Sequence, residues 1–184
     1  MGGRGAKFSN SKMFSPKQFD DYVKKNRTIV LYRGFSDDTV EGLEKQRTDM
    51  QNKTARLSGE KTSAAGKGLY FAGDIETANG YSVLYNKKYS DVITATVRKN
   101  AKILSNSELK NLYLEKNNKQ IMLSEKYWNT NSEKLRDKLK KQIDFLQQID
   151  IASYAKSKGF DVIDNGFNEY VVVNQNVLIY KPRE

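Results

Sequence analysis

The stretch Gly66-Lys67-Gly68-Leu69-Tyr70-Phe71-Ala72 decides how this chain is read. Its apolar part, Leu69 to Ala72, is bounded by Gly68 and Gly73 and predicts a short buried strand. Asp74 then stands as N-cap of a helix on which Ala78, Tyr81 and Tyr85 recur at spacings of three and four and fall on one side. Upstream, Thr28 to Arg33 is β-branched and apolar, predicting a buried strand that closes at Gly34. Asp37 is the expected cap of a short helix through Arg47, and Thr48 to Ala65 is a polar candidate mobile loop. Ser15, Pro16 and Gln18 supply an N-cap, a first-turn proline and a capping-box partner, which predicts a helix over Pro16 to Lys25. Residues 1–14 carry too little apolar surface to offset their ordering entropy and read as a loose arm.

Downstream, Asp91 to Arg98 alternates like a half-buried strand, and Lys102 to Leu104 is expected to continue it beyond a turn. From Ser105 to Asp150 the period changes: Leu135, Leu139, Ile143, Leu146 and Ile149 recur at helical intervals, giving a helical insert over 105–150. A helix over Ile151 to Lys158 ends at Gly159. Strands follow at Phe160 to Ile163, Glu169 to Val173 and Val177 to Tyr180, with a turn over Asp164 to Asn168. Segregated strands without regular βαβ alternation predict an α+β domain over 15–184.

Composition narrows the chemistry. The 184 residues suit one domain, and the longest apolar run falls far short of the roughly 20 residues a bilayer span needs. The start lacks a secretory apolar stretch, so the expectation is a soluble chain with no membrane association, acting in the cytoplasm. There is no cysteine and no histidine, which excludes thiol nucleophiles, imidazole bases and conventional zinc sites. Catalysis here rests on carboxylates, hydroxyls, amines or guanidinium groups. The net charge of +10 favours encounter with polyanions or acidic protein surfaces, and lysines are dense from Lys134 to Lys141, where a solvated helix face is the plainer reading.

Three places hold residues open to a structural or a chemical role. Glu169 opens a valine-rich strand directly after a Gly-Phe-Asn turn, so it is either a solvent-facing strand end or a carboxylate set beside a developing cation. Tyr70 and Tyr81 are either core aromatics or two faces for a flat cationic ring, a contact worth roughly 0.5–2 kcal/mol. Arg33 and Gly34 close the first strand in Leu-Tyr-Arg-Gly-Phe; a guanidinium there can grip a diphosphate, and a glycine permits close backbone approach.

Gly66 to Ala72, Tyr81 and the string Asn168-Glu169-Tyr170-Val171-Val172, with Arg33-Gly34 upstream, together resemble the motifs of the ADP-ribosyltransferase superfamily, most closely its poly(ADP-ribose)-polymerase-like branch. The resemblance covers about half the chain, Thr28 to Asp91 and Asp161 to Tyr180. It implies a split β-sandwich of two mostly antiparallel sheets with flanking helices and a cleft between them. It also implies NAD as substrate without a metal, with Glu169 as the catalytic acid and Arg33, Gly34, Gly68, Tyr70, Phe71, Ala72 and Tyr81 holding NAD. The arginine in the first motif belongs to the toxin-like branch, whereas the tyrosines belong to the polymerase-like one. Ala78 stands where polymerase-like members place a serine, and Phe167 where arginine-modifying members place Glu or Gln.

The implied activity is transfer of a single ADP-ribose to a macromolecular acceptor inside the cell, an acidic protein or a nucleic acid. The opening Met1 to Ala6 also resembles that of small transferase-like proteins encoded by bacteriophages, which suits an effector acting on host targets. The same fold leaves open an NAD glycohydrolase, transfer to an RNA 2′-phosphate, or a non-catalytic module whose basic insert binds nucleic acid or protein.

Overall fold

The computed structural model describes residues 14–57 and 65–183. In chain order the elements are α1 (Pro16–Asn26), β1 (Val30–Asp37), α2 (Val40–Gln51), β2 (Leu69–Ala72), α3 (Ile75–Val83), β3 (Tyr89–Val97), β4 (Ile103–Leu104), α4 (Asn106–Asn129), α5 (Glu133–Gln148), α6 (Ile151–Ser157), β5 (Val162–Gly166), β6 (Glu169–Val172) and β7 (Leu178–Tyr180). The domain is mixed α+β. The arm up to residue 13 and positions 58–64 of the polar loop lie outside the described residues.

Local chemistry sets most of the ends. Ser15 and Gln18 form the capping box that starts α1, Asp74 caps α3, and Ser105 with Glu108 forms a second capping box on α4. Asp37 does not cap α2. Thr39 does, its hydroxyl accepting from the Gly42 N–H at 3.0 Å, while the Asp37 carboxylate accepts from the Thr39 N–H at 3.1 Å. The helix therefore starts later and runs on to Gln51, taking the head of the expected loop with it. The insert divides at 130–132 into two helices, with Ser132 capping the second.

Among the described residues seven strands form one curled sheet in the order β4-β5-β6-β2-β1-β3-β7, so the expectation of two separate sheets is not met. The join is narrow, however. β1 and β3 stay in register from Val30 opposite Thr96 to Asp37 opposite Tyr89, and β2 and β6 from Leu69 opposite Val172 to Ala72 opposite Glu169. β1 and β2 meet in register only at Tyr32 opposite Ala72. That single rung is the seam between the two halves of the sheet.

Two further corrections concern strand placement. β1 runs through Gly34 to Asp37 instead of stopping there, paired with β3 as far as Tyr89, and the glycine answers to α3 lying directly on it: a Cβ on Gly34 would stand 1.9 Å from the Ala78 carbonyl oxygen. Gly34 is thus a mid-strand residue that permits helix-on-sheet approach. The segment at Lys102 to Leu104 does not extend β3. It crosses to the far edge as β4 and pairs in parallel with β5, held by Lys102 N–H to the Asp161 carboxylate at 2.9 Å and Asp161 N–H to the Lys102 carbonyl at 2.8 Å.

Residues directly opposite in a ladder share a face. One face carries Leu31, Leu69, Phe71, Ala95, Val97, Val162 and Val172, all buried in one core cluster. The other carries Leu104, Ile163 and Val171, packed with Leu109 and Leu112 of α4, Leu146 of α5 and Ile151, Ala152, Tyr154 and Ala155 of α6. α3 lies on this same face, over Gly34.

Candidate active site

The register carries one row of side chains across four strands: Thr94 on β3, Tyr32 on β1, Ala72 on β2 and Glu169 on β6. Tyr70, two residues before Ala72, points to the same face and is the diagonal neighbour of Glu169, roughly 7–8 Å away between backbones. Gly68 and Gly34 share this parity. The row lies on the face that also bears α3 over Gly34 and the cluster of α4, α5 and α6 around Val171.

Glu169 reaches this place through a tight hairpin. Phe167 and Asn168 have φ of 50° and 62°, as a two-residue type I′ turn requires, and Gly166 before them has φ of 80°. Asn165 Nδ2 donates to Glu169 Oε1 at 2.6 Å across the turn, while the other carboxylate oxygen has no hydrogen-bond partner among the described residues. The hairpin is anchored to the start of α3. Gly73 N–H donates to the Asn168 carbonyl at 2.8 Å, and Asn168 Nδ2 donates to Asp74 Oδ2 at 2.6 Å. The bonds from Thr77, with that from Asn168, hold the Asp74 carboxyl below its ordinary range.

Tyr70 is fixed from both ends. Its hydroxyl donates to the Gly66 carbonyl at 2.6 Å, and its own carbonyl accepts from Arg33 Nη1 at 2.7 Å. Gly66 adopts φ of 93°, and a Cβ there would stand 2.5 Å from the Asp150 carboxylate that caps α6. The Arg33 bond crosses the seam. Arg33 alternates with Tyr32 and Gly34, so it takes the other face, where burial pulls its guanidinium below its ordinary value. Tyr180 lies close enough for its charge to bear on Arg33; its buried hydroxyl has no hydrogen-bond partner among the described residues, and burial pushes its pKa up.

The structure therefore brings Glu169, Ala72, Tyr70, Gly68 and Gly34 to one face. It places Arg33 and Phe71 on the other, with the Phe71 ring buried in the core cluster of Leu31, Leu69 and Val172. Tyr81 sits on α3 at 49% exposure, whereas Ala78, three residues earlier, is wholly buried against Gly34. Tyr85 lies beyond the end of α3 and is 77% exposed, so only Ala78 and Tyr81 of the three expected on one side share the helix.

Sequence reasoning missed Tyr32, Asn165 and Tyr113. Tyr32 is visible only once β1 and β2 are paired. Asn165 stands four residues before Glu169, a spacing that places two side chains together only if a two-residue turn lies between them. Tyr113, on α4, lies near Tyr70 and Asp150, and burial first, then those neighbours, raises its hydroxyl pKa. No periodic signal in the insert marks it.

No protein-family model, curated protein or solved structure matches this chain. Among the described residues no helix is long and apolar enough to cross a membrane.

Proposed function

We propose that this chain is a mono-ADP-ribosyltransferase that cleaves NAD and transfers ADP-ribose to a macromolecular acceptor, an acidic protein or a nucleic acid, in the cytoplasm. One observation carries the reading: Glu169 and Tyr70, which lie 99 positions apart in the sequence, stand on neighbouring strands of the same face with only the small Ala72 in the row between Glu169 and Tyr32. That arrangement sets a carboxylate beside an aromatic ring. It suits the two halves of nicotinamide riboside, a sugar that becomes cationic and a flat, charged base.

In the proposed reaction the bond between ribose C1′ and the nicotinamide nitrogen breaks, nicotinamide leaves with the electron pair, and an acceptor nucleophile attacks C1′ and loses its proton. Glu169 stabilises the oxocarbenium character of the ribose through its carboxylate, as carboxylates do in glycoside cleavage. Asn165 occupies one carboxylate oxygen and fixes its direction, leaving the second for a ribose hydroxyl. Tyr70, held by Gly66 and Arg33, stacks on nicotinamide, and Tyr81 approaches from α3. Arg33 acts from behind the seam by positioning the Tyr70 backbone. Ala78 supplies no hydroxyl for the nicotinamide amide, so base binding rests on stacking. The narrow seam between two half-sheets also supports a split-sandwich description of the fold.

The test is NAD labelled on its adenylate phosphate, incubated with purified protein and cell lysate. Label in protein or nucleic acid is expected. Label recovered only as free ADP-ribose identifies a glycohydrolase instead, and intact NAD in every condition overturns an enzymatic role.

A further inference from the structure

A cavity of about 790 Å³ lies away from Glu169, between α1 and the open edge of β7. Four cations line it: Lys25 from the last turn of α1, Lys53 from the turn after α2, and Arg98 and Lys99 from the end of β3. Among the described residues Asp21 is the one acid that lines it. Among the described residues none of the four cations has a carboxylate oxygen within 4.0 Å, although five other cationic side chains form ion pairs elsewhere. Burial, then the neighbouring charge of Arg98, pulls the Lys53 ammonium below its ordinary pKa, so two like charges are kept together without a counter-ion.

Three of the four cationic residues are held by hydrogen bonds to neutral groups rather than by acids. Arg98 N–H donates to the Val177 carbonyl at 2.8 Å, Lys99 N–H donates to the Tyr22 hydroxyl at 2.9 Å, and Lys53 Nζ donates to the Asn176 carbonyl at 3.3 Å. Each tie leaves positive charge unspent. Tyr22 packs on Phe14 with ring centroids 5.6 Å apart, and both rings line the cavity. β7 is the last strand of the sheet, and Leu178 to Tyr180 border the cavity along its unpaired edge.

Uncompensated cations beside aromatic rings, in an open cavity much larger than one phosphate, are what a chain of phosphodiesters with stackable bases requires. An acidic protein segment would use the charge but leave the rings without a purpose. We propose that the cavity between α1 and β7 binds single-stranded nucleic acid, with Lys25, Lys53, Arg98 and Lys99 on its phosphates and the Tyr22–Phe14 pair against a base. This site is independent of the NAD reading and survives its failure.

The experiment titrates the full chain with fluorescent 12-nucleotide single strands of RNA and of DNA over a range of salt. The variants are K25A/K53A/R98A/K99A and, as a control on α5, K134A/K138A/K141A, each checked for an unchanged urea midpoint. Expected are binding by the native protein, at least tenfold weaker binding by the cavity variant, and a slope of log affinity against log salt shallower by about 0.7 for each cation removed. The α5 variant is expected to bind nearly as well as the native chain. Should the quadruple variant fail to fold, single charge reversals at Lys25 and Lys99, both on the surface, are expected to weaken binding in the same way. A difference between the RNA and DNA arms identifies which source fills the site. No binding by the native protein, loss only in the α5 variant, full competition by poly-glutamate, or equal affinity for a mononucleotide would each overturn the proposal.

Discussion

Hydrogen bonds at the seam join distant parts of the chain, whereas those on the α4–α5 hairpin are almost all local. At the seam Arg33 bonds Tyr70, and beside it the β5–β6 turn is tied to the start of α3, where Asn168 bonds Asp74 and Gly73 bonds Asn168. On the hairpin Ser105 bonds Glu108, Ser124 bonds Gln120 and Arg136 bonds Thr130, partners at most six residues apart. The exception is at its base, where Glu115 accepts from Tyr154 and Lys158 and where Leu109, Leu112 and Leu146 enter the core. Its tip is different. Trp128 is 75% exposed, stacked edge-on against Tyr127. The hairpin is a locally specified addition rooted at one end, while the seam exists only when remote segments meet, so single changes there propagate.

The largest expected effect is at the seam. A methyl group at Gly34 would overlap the Ala78 backbone and lift α3, and G34A is expected to lose about 4 kcal/mol in urea unfolding. A loss under 1 kcal/mol would show that α3 is not seated on β1. Next come two ion pairs that separate sheet from hairpin. Asp91 bonds the buried Arg47 and also Arg183 at 2.5 Å; burial alone would raise its carboxyl pKa, but those bonds hold it below the ordinary value. Because the folded-state value is depressed, the stabilisation is present above the unfolded pKa near 3.9 and is lost as pH falls through the lower folded value. D91N is therefore expected to cost about 2 kcal/mol at pH 7, and its difference from the native protein is expected to shrink once the pH falls below the unfolded value and to vanish only below the lower folded one.

Glu115 and Lys158 form the corresponding pair at the hairpin base, but both are well exposed. E115Q is expected to cost less than about 1 kcal/mol, and added salt is expected to shrink that further. The smallest effect belongs to the tip: W128A is expected to change the urea midpoint by less than about 0.5 kcal/mol equivalent. A larger change would mean that the tip is not merely a local structure.

What could be read beforehand follows the same division. Helix starts are local chemistry, so Ser15 with Gln18 and Asp74 with Thr77 were legible from a few adjacent residues. The strand at Leu69 to Ala72 was legible from its bracketing glycines. Gly34 misled because glycine signals a strand end locally, and its true cause, the Ala78 carbonyl, is more than forty residues away. Ile103 and Leu104 are too few to carry a pattern, and only Asp161 tells them which edge to join. Of the site, Glu169 and Tyr70 were visible as residue types in short strings, but their shared face depends on pairing between β2 and β6. Arg33 shows the limit of such strings: parity sends it to the other face, and it touches the site through a backbone carbonyl.

The most direct measurement is nicotinamide release from NAD by the native protein and by E169Q, with melting curves taken on both. The account predicts release by the native chain, a fall of about 100-fold or more in the variant, and unchanged melting. Full activity in a folded E169Q protein would contradict it.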